Sequence, residues 1–335
     1  MSYRMCGWIF GSYSYFGMRG LTNHHLSCCV NTLLQTLSAT WEMAELLEKW
    51  DTAGRRAASD NVPLQLKRVL AAMRGDSPQP APHRDFLHCL HANNIRLNKQ
   101  HDADEVFLFI LNSIQKQMDD AVLALEIQDL YRIPVENVLR CLECSSVQTR
   151  TSYLLSLPLH IKDDHKSLED CLKSFFEHQE LKGQNCCFCA QCERKTPSKQ
   201  GLQLLSLPRV LCVHLKRFRN TRGDLHKLNC KLTFPETFDF SEAVSDALAA
   251  TFTQDERSYV LYAVVVHSGA TSCGHYTAYV RHSGDNSWYY ADDSHVQKAS
   301  WEEVQTTYGG KNSNTAYMLM YRRLSEQVEH PEVSG

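Results

Sequence analysis

The pattern of apolar residues changes near residue 130, and this change limits the possible fold more than any other feature of the sequence. From Ser27 to about Ile127, apolar residues recur at helical spacing, as in the amphipathic stretch Val62–Arg74. From about Ile133 the chain turns to short β-like runs separated by turns, within 151–161, 202–215 and 258–269. The sequence therefore predicts an α+β protein, with a helical front part followed by a largely antiparallel β part.

The bulk composition argues against several classes of protein. The 335 residues are enough to bury a sizeable core. The net charge of -3 argues against electrostatic binding to nucleic acid or anionic membranes. The sequence lacks an apolar run near the ~20 residues that span a bilayer, and residues 1–19, rich in Gly, Ser and Tyr, do not read as a signal peptide. We expect a cytosolic or nuclear protein with a flexible leader over residues 1–19 and a tail over residues 324–335.

The 14 cysteines are expected to be reduced thiols, metal ligands or catalytic groups, since a cytosolic or nuclear chain seldom keeps disulfides. Cys28 and Cys29 lie at the start of a predicted helix, behind Ser27 as candidate N-cap. One face of this helix is apolar and predicted to be buried, comprising Val30, Leu33, Leu34 and Leu37. At about 100° per residue, Cys29 falls near the edge of that face. Cys28 projects towards a small polar surface, with Asn31, Thr32, Gln35 and Ala39.

Cys28 is therefore the candidate nucleophile of the pair. The positive end of the helix dipole favours a thiolate in the first turn. Free cysteines, however, are more often inert residues of a core. The helical pattern alone leaves both interpretations open.

A histidine and two acids further along the chain are able to complete a cysteine active site. His275 lies between Gly274 and Tyr276, where the chain has little bulk and can present an imidazole to a cleft. Asp292 and Asp293 stand at a predicted strand end, suited to orienting that ring. The order Cys, His, acid is that of papain-like cysteine proteases. A single histidine is more often structural, and Asp-Asp-Ser is more often a turn.

The sequence also contains two CxxC pairs with the spacing of zinc knuckles: Cys141 with Cys144, and Cys189 with Cys192. Because 44 residues separate the pairs, one tetrahedral site would join distant hairpins. Four thiolates leave no open position, so this zinc is expected to be structural, and no catalytic cofactor is expected. Cys186 and Cys187 leave an alternative open, because Cys186 with Cys189 also has CxxC spacing. We prefer Cys189 with Cys192.

Several segments, in order, resemble motifs of the ubiquitin-specific protease family of papain-like cysteine peptidases. The resemblance covers a cysteine box, a helix, later strand motifs and a histidine box, at 20–35, 100–111, 207–218, 232–241, 273–281 and 288–296. The CxxC pairs fall where the family has its zinc fingers. The resemblance implies a catalytic domain over residues 20–323. Its parts would be a helical thumb (about 20–130) and a zinc-clipped fingers region with an antiparallel palm (about 131–323), the knuckles lying at 141–144 and 189–192.

The resemblance assigns roles residue by residue. The catalytic positions are Cys28 as nucleophile, His275 as general base, Asp292 as orienting acid with Asp293 beside it, and Asn23 as oxyanion donor. The substrate-binding positions are Gln100, Asp102, Tyr276 and Leu108. Three residues before the nucleophile, where the family usually has Gly, this chain has His25. If the position needs a positive φ, His is among the less costly replacements.

The implied activity is that of a thiol-dependent isopeptidase that cleaves a ubiquitin-like modifier from target lysines after its C-terminal diglycine. Within the family, the adjacent cysteines, the QHDA stretch at 100–103 and the CFCxxC knuckle resemble an interferon-induced member. That member acts on a modifier of two fused ubiquitin folds, which implies attenuation of interferon responses and an interferon receptor or signalling component as a partner.

Two alternatives stay open at this point. The first alternative to the isopeptidase activity above is a ubiquitin-directed deubiquitinase. The second is a largely non-catalytic scaffold that binds the modifier or a receptor. The surface that selects the modifier is expected on the fingers and on the helix at 100–114, where Asp104 and Glu105 lie beside Leu108. Neither nucleic-acid binding nor membrane insertion is expected.

Overall fold

The computed structural model describes residues 18–52, 59–74, 79–96, 98–162, 164–221, 223–243, 252–271, 273–311 and 313–324. Apart from Met18, Arg19 and Leu324, the predicted leader and tail lie outside these residues. Helices make up the described chain as far as Asp129, and strands dominate from Ile133, where the apolar pattern changes. Among the described segments, no helix combines the length and apolar character needed to cross a bilayer.

The front part, which we call the thumb, is a set of helices: α1 (Cys28–Ser38), α2 (Trp41–Lys49), α3 (Val62–Met73), α4 (Arg84–Ala92), α5 (Ala103–Gln117) and α6 (Ala121–Asp129). Side-chain caps begin three of them, α3, α5 and α6, the last through Asp120. The Asn61 side chain accepts from the Leu64 amide at 2.9 Å, and that of Asp102 accepts from the Asp104 amide at 2.8 Å. Helix α5 buries the apolar face that its spacing predicts: Val106, Phe107, Ile110, Leu111 and Ile114.

The predicted capping of α1 by Ser27 is wrong. Ser27 precedes α1, but its side chain makes no capping hydrogen bond to the first turn. The hydroxyl instead accepts from the His24 amide at 2.9 Å and donates to Asn23 Oδ1 at 3.3 Å. It therefore holds the turn before the helix. A serine oxygen can serve either the helix or a local turn, and the sequence does not distinguish these uses.

The rest of the described chain is mainly β structure. Its strands are β1 (Ile133–Cys141), β2 (Val147–Leu154), β3 (Leu157–His160), β4 (Gln179–Leu181), β5 (Cys187–Cys189), β6 (Arg194–Thr196), β7 (Ser198–Leu204), β8 (Val210–Lys216), β9 (Phe218–Thr221), β10 (Asp224–Lys227), β11 (Thr237–Asp239), β12 (Ser258–Gly269), β13 (Gly274–Arg281), β14 (Trp288–Asp292), β15 (His295–Ala299) and β16 (Thr315–Arg323). The helices among them are α7 (Leu168–Phe176), α8 (Gln254–Arg257) and α9 (Trp301–Gln305).

The larger sheet, which we call the palm, has the strand order β15-β14-β13-β12-β16-β8-β3, and β11 pairs with β12. The described pairs are antiparallel except β3 with β8. Alternate residues of β8 serve two cores. Val210 and Cys212 join the thumb core, whereas Leu211 and Val213 join a second core with α7. Both faces of β8 are buried, which explains its continuous apolar sequence.

The smaller sheet, which we call the fingers, has the antiparallel order β2-β1-β7-β4. The cysteine-bearing hairpin β5–β6 follows β4 in the chain. Strand β2 is exposed along almost its whole length. The fingers therefore bury little apolar surface of their own. The predicted α+β fold of thumb, palm and fingers is confirmed.

The topology brings the candidate catalytic segments to one edge of the palm. Helix α1 packs against β12, β13 and β14. Strand β13 begins at Gly274 and its antiparallel neighbour β14 ends at Asp292, so His275 and Asp292 lie at the same edge. Cys28 is the first residue of α1.

Candidate active site

His275 lies between Cys28 and Asp292 and interacts with both. His275 Nε2 lies 2.7 Å from Asp292 Oδ1, which leaves Nδ1 as the ring nitrogen for the Cys28 sulfur. The hydrogen bond with Cys28 is the main cause that raises the pKa of His275 to about 9, against the opposing effect of burial. The hydrogen bond to Asp292 raises this pKa further. At neutral pH the imidazole is therefore protonated and placed to pair with a thiolate.

Cys29 is in a different environment from its neighbour. It is 3% exposed, and burial raises the pKa of its thiol well above the ordinary value, with Cys28 and Asp102 adding to the shift. Cys29 therefore remains a neutral thiol that fills space in the thumb core. Of the two adjacent cysteines, Cys28 is the one that contacts the imidazole.

The predicted polar surface around Cys28 does not exist. Cys28 is 5% exposed, and its polar neighbours Asn31, Thr32 and Gln35 are buried as well. The chain before the helix covers this side: Gln35 Nε2 donates to the Arg19 carbonyl at 2.8 Å. The buried amides on this side donate to backbone and side-chain oxygens. Helical periodicity separates polar from apolar residues but cannot show that another segment covers the polar side.

The two adjacent aspartates serve different partners. Asp292 bonds His275, whereas Asp293 accepts from Asn23 Nδ2 at 2.8 Å and from Asn31 Nδ2 at 2.7 Å. Asn23 Oδ1 in turn accepts from Ser27. The Asn23 side chain is exposed and held at both ends, and its amide nitrogen keeps a second N–H.

The segment before α1 is fixed against the turn between β14 and β15. The Leu21 amide donates to the Asp293 carbonyl at 2.8 Å, and Asp293 itself has φ +50°. A Cβ at Gly20 would lie 2.3 Å from the Ser294 carbonyl oxygen, so this close approach requires glycine. His25 has φ +64°, so the condition considered for this position, a positive φ, is met.

The predicted substrate-binding residues lie between α5 and the palm. Gln100 bonds both backbone groups of Gly274: the Gly274 amide donates to Oε1 at 3.0 Å, and Nε2 donates to the carbonyl. Asp102 caps α5 and accepts from the Tyr317 hydroxyl. Tyr276 is buried in the same region, with its ring packed against Tyr317. Thumb and palm are thus joined directly beside His275.

Two other residues of α5 differ from the sequence expectation. Asp104 is not part of a surface, because it is buried and pairs with His214 Nδ1 of β8 at 3.0 Å. Leu108 is half-buried and packs against the thumb core. Glu105 is exposed and remains available for contact. A helix that joins two subdomains buries charged side chains that an amphipathic pattern places outside.

The four predicted zinc ligands come together at the end of the fingers. The sulfur atoms of Cys141, Cys144, Cys189 and Cys192 all lie within 4.8 Å of one another. Cys141 and Cys192 are 4.0 Å apart, and Cys144 and Cys189 are 3.6 Å apart. Sulfurs at 2.3 Å from a tetrahedral zinc ion are separated by about 3.8 Å. The donor set therefore fits zinc, and Cys186 and Cys187 are not part of the group.

The backbone of the two CxxC turns is alike. The residue after each second cysteine, Ser145 or Glu193, has a positive φ of 60° or 53°. In the turn that begins at Cys141, backbone amides donate hydrogen bonds to the Cys141 sulfur. The bond from the Cys144 amide is the main cause that lowers the pKa of Cys141 to about 6. Such bonds stabilise the thiolate form that a metal requires.

Two residues that the sequence does not assign a role lie beside the active-site aspartates. Asn31 bonds Asp293, and its Oδ1 lies 2.9 Å from Nε2 of His83, which is buried. Asn31 follows Cys28 by three residues on the polar side of the helix, which is a usable signal. His83 stands in a stretch with Pro80 and Pro82 and offers no comparable signal.

Comparison with known proteins covers almost the whole chain. A sequence profile of the family described as "Ubiquitin carboxyl-terminal hydrolase" matches residues 19–321, a range that includes the catalytic candidates and both CxxC pairs. The Homo sapiens protein "Ubl carboxyl-terminal hydrolase 18" is 33% identical over 318 residues, which cover 92% of this chain and 86% of the relative. The Mus musculus protein of the same name is 36% identical with the same coverage. "Ubiquitin carboxyl-terminal hydrolase 47" of Xenopus tropicalis is 27% identical over 94% of this chain but 29% of its own length.

Proposed function

The chain belongs to the ubiquitin carboxyl-terminal hydrolase family, and from that premise we propose that it removes a ubiquitin-like modifier from target lysines after the modifier's C-terminal diglycine. It is a cysteine-type hydrolase of ubiquitin-like conjugates. One observation carries the proposed mechanism. The His275 imidazole interacts with both the Cys28 sulfur and the Asp292 carboxylate, although the three residues come from distant parts of the chain.

In this mechanism, Cys28 attacks the carbonyl carbon of the terminal glycine as a thiolate. His275 carries the proton and delivers it to the departing lysine amine as the C–N bond breaks. Water, activated by the now neutral imidazole, then hydrolyses the thioester and restores the thiol. Asp292 holds the imidazole in its orientation throughout, as the acid of a catalytic triad does.

The oxyanion of each tetrahedral intermediate needs donors on the Asn23 side of the sulfur. We assign them to the second N–H of Asn23 Nδ2 and to the Cys28 backbone amide, each worth about 3 kcal/mol in comparable enzymes. The exposure of Asn23 and its anchoring by Asp293 and Ser27 support this assignment. An amide that is already held loses little freedom when the oxyanion forms.

The modifier's tail would thread between α5 and β13. Gln100, Asp102 and Tyr276 would line this passage, and the hydrogen-bonded Gln100–Gly274 pair would close it beside His275. Glycine has no side chain to clash in a passage of this kind, so selectivity for diglycine ends would be steric. Leu108 would contribute packing behind α5 rather than direct contact.

The four clustered cysteines would hold a structural zinc ion. Cys141, Cys144, Cys189 and Cys192 would fix the hairpin β5–β6 to the turn after β1, where the fingers bury little apolar surface. The ion would supply folding energy there and leave no coordination position for substrate.

For the modifier itself, we propose the interferon-induced type made of two fused ubiquitin folds, with attenuation of interferon responses as the consequence in cells. The relatives named "Ubl carboxyl-terminal hydrolase 18", which align over 86% of their length, support a ubiquitin-like modifier, and the resemblance of the adjacent cysteines and of the stretch at 100–103 supports this type of modifier. An interferon receptor or signalling component as partner, and a cytosolic or nuclear location, belong to the same proposal. The side-by-side experiment is cleavage of fluorogenic fusions of the two modifiers by the one protein. Faster turnover of the ubiquitin fusion would contradict the proposed preference.

The test of the chemistry uses an electrophilic probe on the modifier's C-terminus. We expect Cys29→Ala to be labelled like the wild type and Cys28→Ala not to be labelled. Labelling that persists in Cys28→Ala and disappears in Cys29→Ala would reverse the assignment. A correctly folded wild type that neither reacts nor turns over would instead favour the scaffold function.

A further inference from the structure

A chain of hydrogen bonds leads from the proposed oxyanion donor into the thumb. Asn23 Nδ2 donates to Asp293 Oδ2 at 2.8 Å, and Asn31 Nδ2 donates to Asp293 Oδ1 at 2.7 Å. Asn31 Oδ1 lies 2.9 Å from His83 Nε2. The chain therefore ends on a histidine that is 3% exposed and does not contact Cys28, His275 or Asp292 in the described structure.

The orientation of the Asn31 amide follows from its surroundings. Three oxygens face its Nδ2 atom: the Leu21 and Thr22 carbonyls, each at 3.4 Å, and the Asp293 carboxylate. All three accept hydrogen bonds and none can donate when the carboxylate is ionised, so this end of the side chain must be the NH₂ group. The carbonyl end then faces His83, and His83 Nε2 must carry the hydrogen that it donates.

His83 is held so that it can keep this role. It immediately precedes α4, and its ring packs against that of His24, with the ring centroids 5.4 Å apart. The segment around it is tied to the chain before α1, because the Ala81 amide donates to the Gly20 carbonyl at 2.9 Å. Burial lowers the pKa of His83 to about 4, so the ring is neutral near pH 7 and its single N–H is the one on Nε2.

We propose that His83 is a positioning residue of the reaction, which fixes the oxyanion donor Asn23 through Asn31 and Asp293. Without a donor on His83, the buried Asn31 Oδ1 atom loses its hydrogen-bond partner, so the Asn31 side chain shifts and its hold on the Asp293 carboxylate weakens. The carboxylate would then move from Asn23, and the second Asn23 N–H would no longer point to the oxyanion. This inference rests on the proposed function, since it concerns a step of that reaction.

The experiment measures kcat and KM on a fluorogenic C-terminal fusion of the modifier. His83→Phe keeps an aromatic ring but removes the donor, and we expect kcat to fall about tenfold with little change in KM. Complete loss of one oxyanion donor costs about 10²–10³ in kcat, and His83 acts on that donor only indirectly. Alkylation of Cys28 by iodoacetamide, which forms no oxyanion, should proceed at the wild-type rate.

A matched pair of amides keeps the test independent of folding. His83→Gln places an N–H near the former Nε2 position and should restore most of the activity. His83→Asn carries the same group one carbon shorter, cannot reach Asn31, and should resemble His83→Phe. If the Gln and Asn variants have equal kcat, the proposed contact has no role.

A double variant separates positioning from general support of the thumb. In an Asn23→Ala background the donor is already absent, so His83→Phe should cause no further loss of kcat. A full additional loss there, or a wild-type kcat for His83→Phe alone, would overturn the inference. If the wild type is inactive, or if Cys28→Ala keeps its turnover, the proposed function fails instead.

Discussion

The active-site corner and the end of the fingers both gather reactive groups around cysteines, but different forces hold them together. At the active site, segments about 270 residues apart in sequence meet, as the bond between Asn23 and Asp293 shows. Packing covers the α1 side of that region, where Cys28 is 5% exposed, while the side chains of His275 and Asp292 are each 39% exposed. In the fingers, four sulfurs meet on two short turns beside exposed strands, and Cys144 is itself exposed.

The difference shows two ways to hold reactive cysteines. Tertiary packing places Cys28 beside the His275 imidazole, whereas in the fingers local hydrogen bonds lower the pKa of Cys141 and of Cys189 and, in the proposed function, a metal joins the four sulfurs. Substitutions in the active-site corner should therefore lower kcat and leave KM unchanged. Loss of the metal site in the fingers should raise KM and leave the reactivity of Cys28 unchanged.

The largest expected effect is at Asp292. Asp292→Asn should lower kcat by about 10⁴, since the neutral amide cannot stabilise the imidazolium and allows the wrong tautomer. KM and the metal content of the fingers should not change. Turnover of the fluorogenic fusion measures the loss, and Asp164→Asn, at an exposed acid, is the control. If Asp293→Asn were more damaging than Asp292→Asn, the orienting acid would be Asp293.

Removal of the metal is the corresponding test in the fingers. We expect the purified protein to carry one zinc ion per chain, and Cys144→Ser or a chelator to release it. KM should then rise about tenfold or more, the change that about 1.4 kcal/mol of lost binding produces. Amides of β1, β2 and β7 should exchange faster with solvent, while iodoacetamide should still alkylate Cys28 at the wild-type rate.

Cys186→Ser is the matched control for this test. Cys186 lies outside the four-sulfur group, so its variant should keep the zinc. Loss of zinc in Cys186→Ser with retention in Cys192→Ser would mean that Cys186 takes the place of Cys192. If chelation lowered kcat by the same factor by which it raised KM, the active-site corner and the fingers would not be independent.

The pH profile sharpens the comparison at the active site. The pKa of His275 is raised from 6.5 to about 9, so its contribution to stability is fully present below about pH 6.5 and is lost as pH rises through about 9. The alkaline limb of kcat/KM should show the same pKa, because the leaving amine needs the imidazolium proton. Asp292→Asn should move that limb to lower pH, whereas chelation should leave it in place. An alkaline limb near pH 6.5 in the wild type would contradict the raised pKa of His275 and the interactions with Cys28 and Asp292 that cause it.

The sequence predicts the change from helices to strands and the grouping of the sulfurs well, since both follow from local spacing. It predicts the choice of Cys28 over Cys29 for a reason that is partly wrong. The polar side of α1 is buried under the chain before it, and Cys28 differs from Cys29 by its contact with His275 rather than by exposure. Asp104 shows the same limit, because its partner His214 is 110 positions away in the chain. Contacts of this kind depend on topology, which periodicity does not contain.

The smallest effect is expected at two backbone positions, one at the active-site corner and one in the fingers. His25 before α1 and Glu193 in the fingers are both exposed and both have a positive φ, at 64° and 53°. Glycine relieves such strain but is freer in the unfolded chain, so the net gain is at most about 1 kcal/mol.

His25→Gly should raise the urea midpoint, because the turn before α1 unfolds together with the packed core. Glu193→Gly should leave the midpoint unchanged, because the turn that follows Cys192 opens with the metal site rather than with the core. It should instead slow the release of zinc to a chelator. Equal shifts of the urea midpoint in the two variants would mean that the fingers and the active-site corner unfold as one unit. The two regions would then not differ in stability in the way that the separate effects on kcat and KM require.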